Sequence, residues 1–166
     1  MGSDHQDRMS PLTLCTSKDE PRSLIEVLTY QQWSVQRSSS VLTIPAHTGQ
    51  IYSVTWSPHT PSMLASCAAD GQLKIFDIRT QTPQRPIQAF QASPTEVLSC
   101  DWNKYDLSTL ASGGKDLGVK VWDMRSGRSE CVSELRGHTL AVKKVQWSPH
   151  HRDVLASTSY DMTCRS

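Results

Sequence analysis

From Ile44 onward, apolar residues fall in short runs separated by polar, glycine- and proline-containing links. Ile51 and Trp56, Leu73 and Ile75, Val119 and Val121, and Val142, Val145 and Trp147 lie in segments of strand length. No stretch there sustains the 3.6-residue periodicity of an amphipathic helix. Asp70-Gly71 is a hairpin-turn dipeptide, because Gly accepts a positive φ and Asp tolerates one. The pattern predicts strands at 51–56, 63–68, 73–77 and 86–90, then at 97–102, 110–114, 119–123 and 131–135, and finally at 142–147 and 154–159.

These strands recur in phase. Trp56, Trp102 and Trp147 stand 46 and 45 residues apart, and eight residues after each comes Leu-Ala-Ser: Leu64-Ala65-Ser66, Leu110-Ala111-Ser112 and Leu155-Ala156-Ser157. Four residues after each Ser comes an Asp: Asp70, Asp116, Asp161. Phe76-Asp77 and Trp122-Asp123 follow the first two, and His47 and His138 precede the first and third Trp by nine residues. A period near 45 residues matches the WD40 repeat rather than the shorter helical repeats. Each repeat therefore reads as one four-stranded propeller blade. The expected fold is all-β: an open WD40 β-propeller fragment of two full blades plus partial ones. Residues 41–166 form the repeat region, with repeats at about 44–90, 91–135 and 136–166, the last truncated. Residues 1–40 read as a poorly ordered N-terminal segment. Trp33 and 41–44 are expected to supply the end of a preceding blade near 28–44.

The recurring His, Ser and Asp are triad residue types, yet a triad is needed once and this set repeats with the blades. The reading is a structural hydrogen-bond network: turn Asp to loop His, His to the strand-b hydroxyl, hydroxyl to the strand-c indole. Its expected members are His47, Ser66 and Asp70 in the first repeat. In the second they are Ser112, Asp116 and Trp122, and in the third His138, Ser157 and Asp161. Phe76 replaces the first indole and Ser93 stands at the second histidine position. No enzyme is expected.

Lys+Arg 17 against Asp+Glu 16 leaves a net charge of +1, which argues against an electrostatic nucleic-acid binder. No apolar run approaches the roughly 20 residues that span a bilayer, so no direct membrane insertion is expected. Met1 to Arg8 lacks the apolar core of a secretory signal. Cys15, Cys67, Cys100, Cys131 and Cys164 include no Cys-x-x-Cys pair and read as reduced thiols. His150-His151 beside Asp153 reads as a polar loop, because zinc needs three or four convergent ligands. Ser112-Gly113-Gly114-Lys115 lacks the spacing of a phosphate-binding loop. No metal or cofactor is expected.

Several strings are more particular than the repeat itself. They are Ile44-Pro45-Ala46-His47 with Tyr52 through His59, then Glu96-Val97-Leu98-Ser99-Cys100-Asp101-Trp102-Asn103-Lys104-Tyr105, then Leu135-Arg136-Gly137-His138-Thr139 and Ser159-Tyr160-Asp161. Over 44–161 the chain resembles the peroxisomal targeting signal 2 receptor family of WD-repeat peroxins. The resemblance implies a non-enzymatic import receptor of the cytosol that cycles to the peroxisome. Its partners would be cargo proteins bearing the type 2 signal, an import co-receptor and peroxisomal docking proteins. That signal is an amphipathic helical nonapeptide carrying Arg and His, which calls for an acidic, partly apolar surface. The alternative is a generic WD40 scaffold in another complex. Propellers bind partners on the face carrying the d–a and b–c loops. The residues projecting there are Gln50, Glu96 and Ala141 before strand a, and Ala69, Lys115 and Tyr160 before the turn Asp. Glu96, the one carboxylate of the set, is expected to meet a signal arginine, with Tyr160 as an apolar flank. Family members carry about seven blades, so the chain is expected to be a truncated form.

Overall fold

A computed structural model of the 166-residue chain describes residues 28–32, 42–125 and 129–166. Every regular element among them longer than one residue is a strand. In chain order they are β1 (Leu28–Gln32), β2 (Leu42–His47), β3 (Ile51–Trp56), β4 (Met63–Ala68), β5 (Gln72–Asp77), β6 (Gln88–Gln91) and β7 (Val97–Trp102). They continue with β8 (Thr109–Gly114), β9 (Val119–Asp123), β10 (Glu130–Leu135), β11 (Val142–Trp147), β12 (Leu155–Ser159) and β13 (Cys164–Arg165). Two four-stranded antiparallel meanders, β3-β4-β5-β6 and β7-β8-β9-β10, are followed by the three-stranded β11-β12-β13. These are blades 1, 2 and 3 of a partial WD40 propeller. Ahead of them β1 pairs antiparallel with β2; Trp33 lies outside the described residues. No described helix is long and apolar enough to cross a membrane.

The expected inner strands at 51–56, 97–102 and 142–147 coincide with β3, β7 and β11. Two differences stand out. Strand d of blade 1 begins at Gln88 rather than at Pro86, whose nitrogen cannot donate to the ladder. Residues 164–165, where the apolar pattern predicts no strand, pair with Ser157 and Thr158 as the third strand of blade 3.

Three apolar clusters sit between successive sheets. Ile44, Ala46, Ile51, Leu64 and Phe76 join β2 to blade 1. Leu73, Ile75, Val97, Trp102, Leu110 and Trp122 join blades 1 and 2. Ala111, Val119, Val142, Val145 and Trp147 join blades 2 and 3. A middle strand is thus covered on both faces, and β4 and β8 are nearly continuously buried rather than alternating. Gly113 of β8 marks the closest approach: a Cβ there would stand 2.7 Å from Val142 Cγ1 and 2.9 Å from Val145 Cγ1.

Polar groups fasten blade to blade. Ser99 Oγ accepts from Val145 N at 3.2 Å, and Asp101 Oδ2 accepts from Trp147 N at 2.8 Å. Asp101 Oδ1 receives Lys104 Nζ at 2.8 Å and faces Thr55 Oγ1 of blade 1 at 3.4 Å. One buried carboxylate therefore touches three blades. The equivalent residues of blade 3, Lys144 and Gln146, are exposed, so the array is open on that side. On the a–b loop side His59 Nε2 reaches Asn103 O, Asn103 Nδ2 reaches Arg152 O, and Tyr105 donates to Pro149 O.

Candidate functional site

The residues expected to project toward partners are brought together in pairs by the hairpin geometry. Each b–c loop amide donates to the carbonyl of the matching d–a loop residue. Ala69 N binds Gln50 O at 2.8 Å, Lys115 N binds Glu96 O at 3.0 Å, and Tyr160 N binds Ala141 O at 3.1 Å. The residue after each turn Asp takes a left-handed conformation: Gly71 at φ 73°, Leu117 at 68° and Met162 at 65°. The same turn therefore recurs where glycine does not, which the Asp-Gly signal alone could not reveal.

Behind this face lie the His, Ser and Asp sets. In blade 1 His47 Nδ1 stands 3.0 Å from Asp70 Oδ2, and His47 Nε2 stands 2.7 Å from Ser66 Oγ. Burial is the main influence on His47 and holds its pKa below the ordinary value, outweighing the pull of Asp70. The ring is thus neutral: Nδ1–H donates to the carboxylate, and Nε2 accepts from the Ser66 hydroxyl. Burial works against the Asp70 carboxylate, yet its pKa is lowered, because Gln72 N, the His47 ring and Thr48 N all donate to it. Blade 3 repeats the arrangement, with His138 Nδ1 at 2.8 Å from Asp161 and His138 Nε2 at 2.9 Å from Ser157 Oγ. The Thr163 hydroxyl is the main group holding Asp161 below the usual carboxylate range.

Ser-His-Asp contacts of this kind resemble those of a nucleophilic triad. Ser66 is 0% exposed and Ser157 is 7% exposed, so neither hydroxyl has an open approach for a substrate. Their chemistry here is to pin the d–a loop onto the b–c turn.

Blade 2 departs from the expected set. Ser112 Oγ accepts from Trp122 Nε1 at 2.8 Å. Asp116, grouped with them on the sequence, is instead held by Lys120 Nζ at 2.6 Å, and Ser93 Oγ turns to Thr95. The reason is reach: a serine at position 93 cannot span to the turn as an imidazole does. Lys120, equivalent to Lys74 of blade 1, supplies the missing donor. Both lysines also bind the carbonyl ahead of the histidine position, Ala92 O and Ala46 O.

Among the projecting residues, Glu96 is not the vacant carboxylate that its sequence position suggests. Lys115 Nζ lies 2.5 Å from Oε1, and the Tyr52 hydroxyl of blade 1 donates to Oε2 at 2.6 Å. The Lys115 and Tyr52 hydrogen bonds hold the Glu96 pKa below its ordinary value. The same Glu96 contact pushes the Tyr52 hydroxyl up to about 12. Gln50 and Tyr160 are exposed, Ala69 is half-buried, and Lys143 Nζ sits 5.6 Å from the Tyr160 ring centroid. Tyr52 carried no sequence signal, because only the curvature of the array sets one blade's strand a beside the next blade's loops; Lys143 reaches Tyr160 within blade 3, from strand a to that blade's own b–c loop. On the opposite side His150 and His151 are exposed and donate backbone amides to Ser148 Oγ. Among the described residues no group of three or more His, Cys, Asp or Glu is placed to hold a metal.

Residues 24–165 match the family model described as the EIPR1 beta-propeller. The chain belongs to that family. Several curated relatives bear the name peroxisomal targeting signal 2 receptor. The protein of Saccharomyces cerevisiae is 31% identical over 94% of this chain and 47% of its own length. That of Komagataella phaffii is 41% identical over 69% of this chain and 32% of its own. That of Mus musculus is 42% identical over 82% of this chain and 42% of its own. The chain thus spans less than half the length of these curated relatives.

Proposed function

We propose that this chain is the signal-recognising part of a peroxisomal import receptor, and that it binds the type 2 targeting signal of matrix cargo. The similarity to three receptors of that name, reaching 94% of this chain for one of them, carries the reading. The d–a and b–c loop face supports it. Gln50, Ala69, Glu96, Lys115 and Tyr160 occupy corresponding loop positions, with one carboxylate and one exposed aromatic ring among them. On this reading Glu96 meets a basic residue of the signal through a charge-assisted hydrogen bond, and Tyr160 covers its apolar side. The protein binds rather than catalyses. A co-receptor and docking proteins of the peroxisomal membrane complete the assembly, and the receptor cycles between cytosol and peroxisome. A generic WD40 scaffold in another complex has less support, because the receptor name recurs among the relatives.

The test is fluorescence anisotropy of the purified full chain with a labelled type 2 signal nonapeptide and its scrambled counterpart. Saturable binding of the signal alone, weakened by Glu96→Lys, is the expected result. Absence of saturable binding at tens of micromolar, with a full-length relative binding in parallel, overturns the proposal.

A further inference from the structure

The two groups on the loop face best suited to an incoming cation already hold lysines of the same chain. Lys115 donates to Glu96, and Lys143 lies over the Tyr160 ring. The matching loop pairs of blades 1 and 3 are Gln50 with Ala69 and Ala141 with Tyr160. Only blade 2 therefore places a carboxylate and an ammonium at the paired positions. The pairing is local, because the Lys115 backbone amide is fixed to Glu96 O and the side chain folds back along the same hairpin.

The Lys115 side chain is 51% exposed and that of Glu96 is 27% exposed. An ion pair that open is weak and exchangeable, because water stabilises both charges once they part. A cation brought by a ligand does not meet a bare carboxylate. It must first displace Lys115, and the attraction it gains at Glu96 is offset by the attraction that Lys115 gives up. Tyr52 does not compete in this way, since a neutral hydroxyl leaves the carboxylate charged and able to accept further donors.

We propose that Lys115 is an internal competitor on this face, occupying the site on Glu96 that the ligand's cation takes and so holding the affinity of the free receptor down. The inference rests on the function proposed above, and it adds that recognition is an exchange of cations rather than the filling of a vacancy. A ligand cation that binds Glu96 no better than an ammonium gains nothing there. A guanidinium does gain, because its planar fork spans both carboxylate oxygens.

The test compares the signal nonapeptide on the wild-type chain, Lys115→Met, Lys115→Gln, Glu96→Gln and the double variant Glu96→Gln/Lys115→Met. Thermal melts of each variant verify the fold. Either Lys115 replacement is expected to tighten binding about two- to five-fold, the range open to an exposed ion pair. In the Glu96→Gln background the gain disappears, because the competitor has nothing to hold. If wild type binds and the Lys115 variants bind equally or more weakly, the competitor role is overturned and the receptor reading stands. If neither wild type nor any variant binds, both fall together.

Discussion

Replacing Gly113 by alanine tests whether blades 2 and 3 are packed to contact. The new methyl group would begin 2.7 Å from Val142 Cγ1, 2.9 Å from Val145 Cγ1 and 3.2 Å from Val142 Cβ. Carbon atoms rest about 3.5–4.0 Å apart, so the strand must move by about 1 Å or the valines must leave their rotamers. Val142 and Val145 are both 0% exposed and have no solvent to turn into. Overpacking of this kind costs about 1–3 kcal/mol. The opposing effect is smaller: removing a glycine from the unfolded ensemble stabilises by about 0.4–1 kcal/mol. The net expectation is a loss of about 1–2 kcal/mol. Urea unfolding followed by tryptophan fluorescence would read it, with Trp147 reporting on the interface. Val142→Ala removes two methyl groups from the crowded spot, so the double variant should be more stable than the sum of the single effects implies. Gly113→Ala matching or exceeding wild type, or strict additivity with Val142→Ala, would refute the close packing.

Asp101→Ala should cost about 1–3 kcal/mol by leaving the Trp147 amide without its acceptor. Faster hydrogen exchange at Trp147 and Val145 would report it, and unchanged protection would contradict the inter-blade role. Trp122→Phe should cost about 1–3 kcal/mol by removing the indole donor to Ser112. The blade 1 counterpart, Phe76, carries no such penalty, because Ser66 is served by His47. Acid should destabilise the fold in two windows. Folded His47 has a lowered pKa while an unfolded histidine takes its proton near 6.5, so its contribution is complete above about pH 6.5 and falls below it. Asp70 and Asp161 are also depressed, so their contribution is present above the unfolded value near 4 and is lost as pH drops through the folded values. Denaturation midpoints between pH 7 and 5 should depend on pH less in His47→Gln than in wild type; equal slopes would exclude the buried neutral histidine.

What the chain states by itself is periodic and local. The 46- and 45-residue spacing of Trp56, Trp102 and Trp147 places the inner strands, and the turn Asp places each b–c hairpin. The short apolar runs give the remaining strands from β4 to β12 to within a residue or two, whereas β13 carries no such run. His47 with Ser66 and Asp70, and His138 with Ser157 and Asp161, were also legible, because one blade holds all three and equal spacing carries them to equal places. Contacts between blades were not legible. Asp101 meeting Trp147 N, and Tyr52 meeting Glu96, join residues 46 and 44 positions apart. Their meeting depends on how far each sheet is rotated from the last, and no local pattern encodes that angle. Lys120 taking Asp116 and Lys115 taking Glu96 were decided last. Both depend on which flexible side chain reaches a carboxylate first. The sequence by itself therefore determined the phase of the described blades and the His-Ser-Asp sets within blades 1 and 3. Only the tertiary structure decided how the blades are joined and which charges on its loop face are already paired.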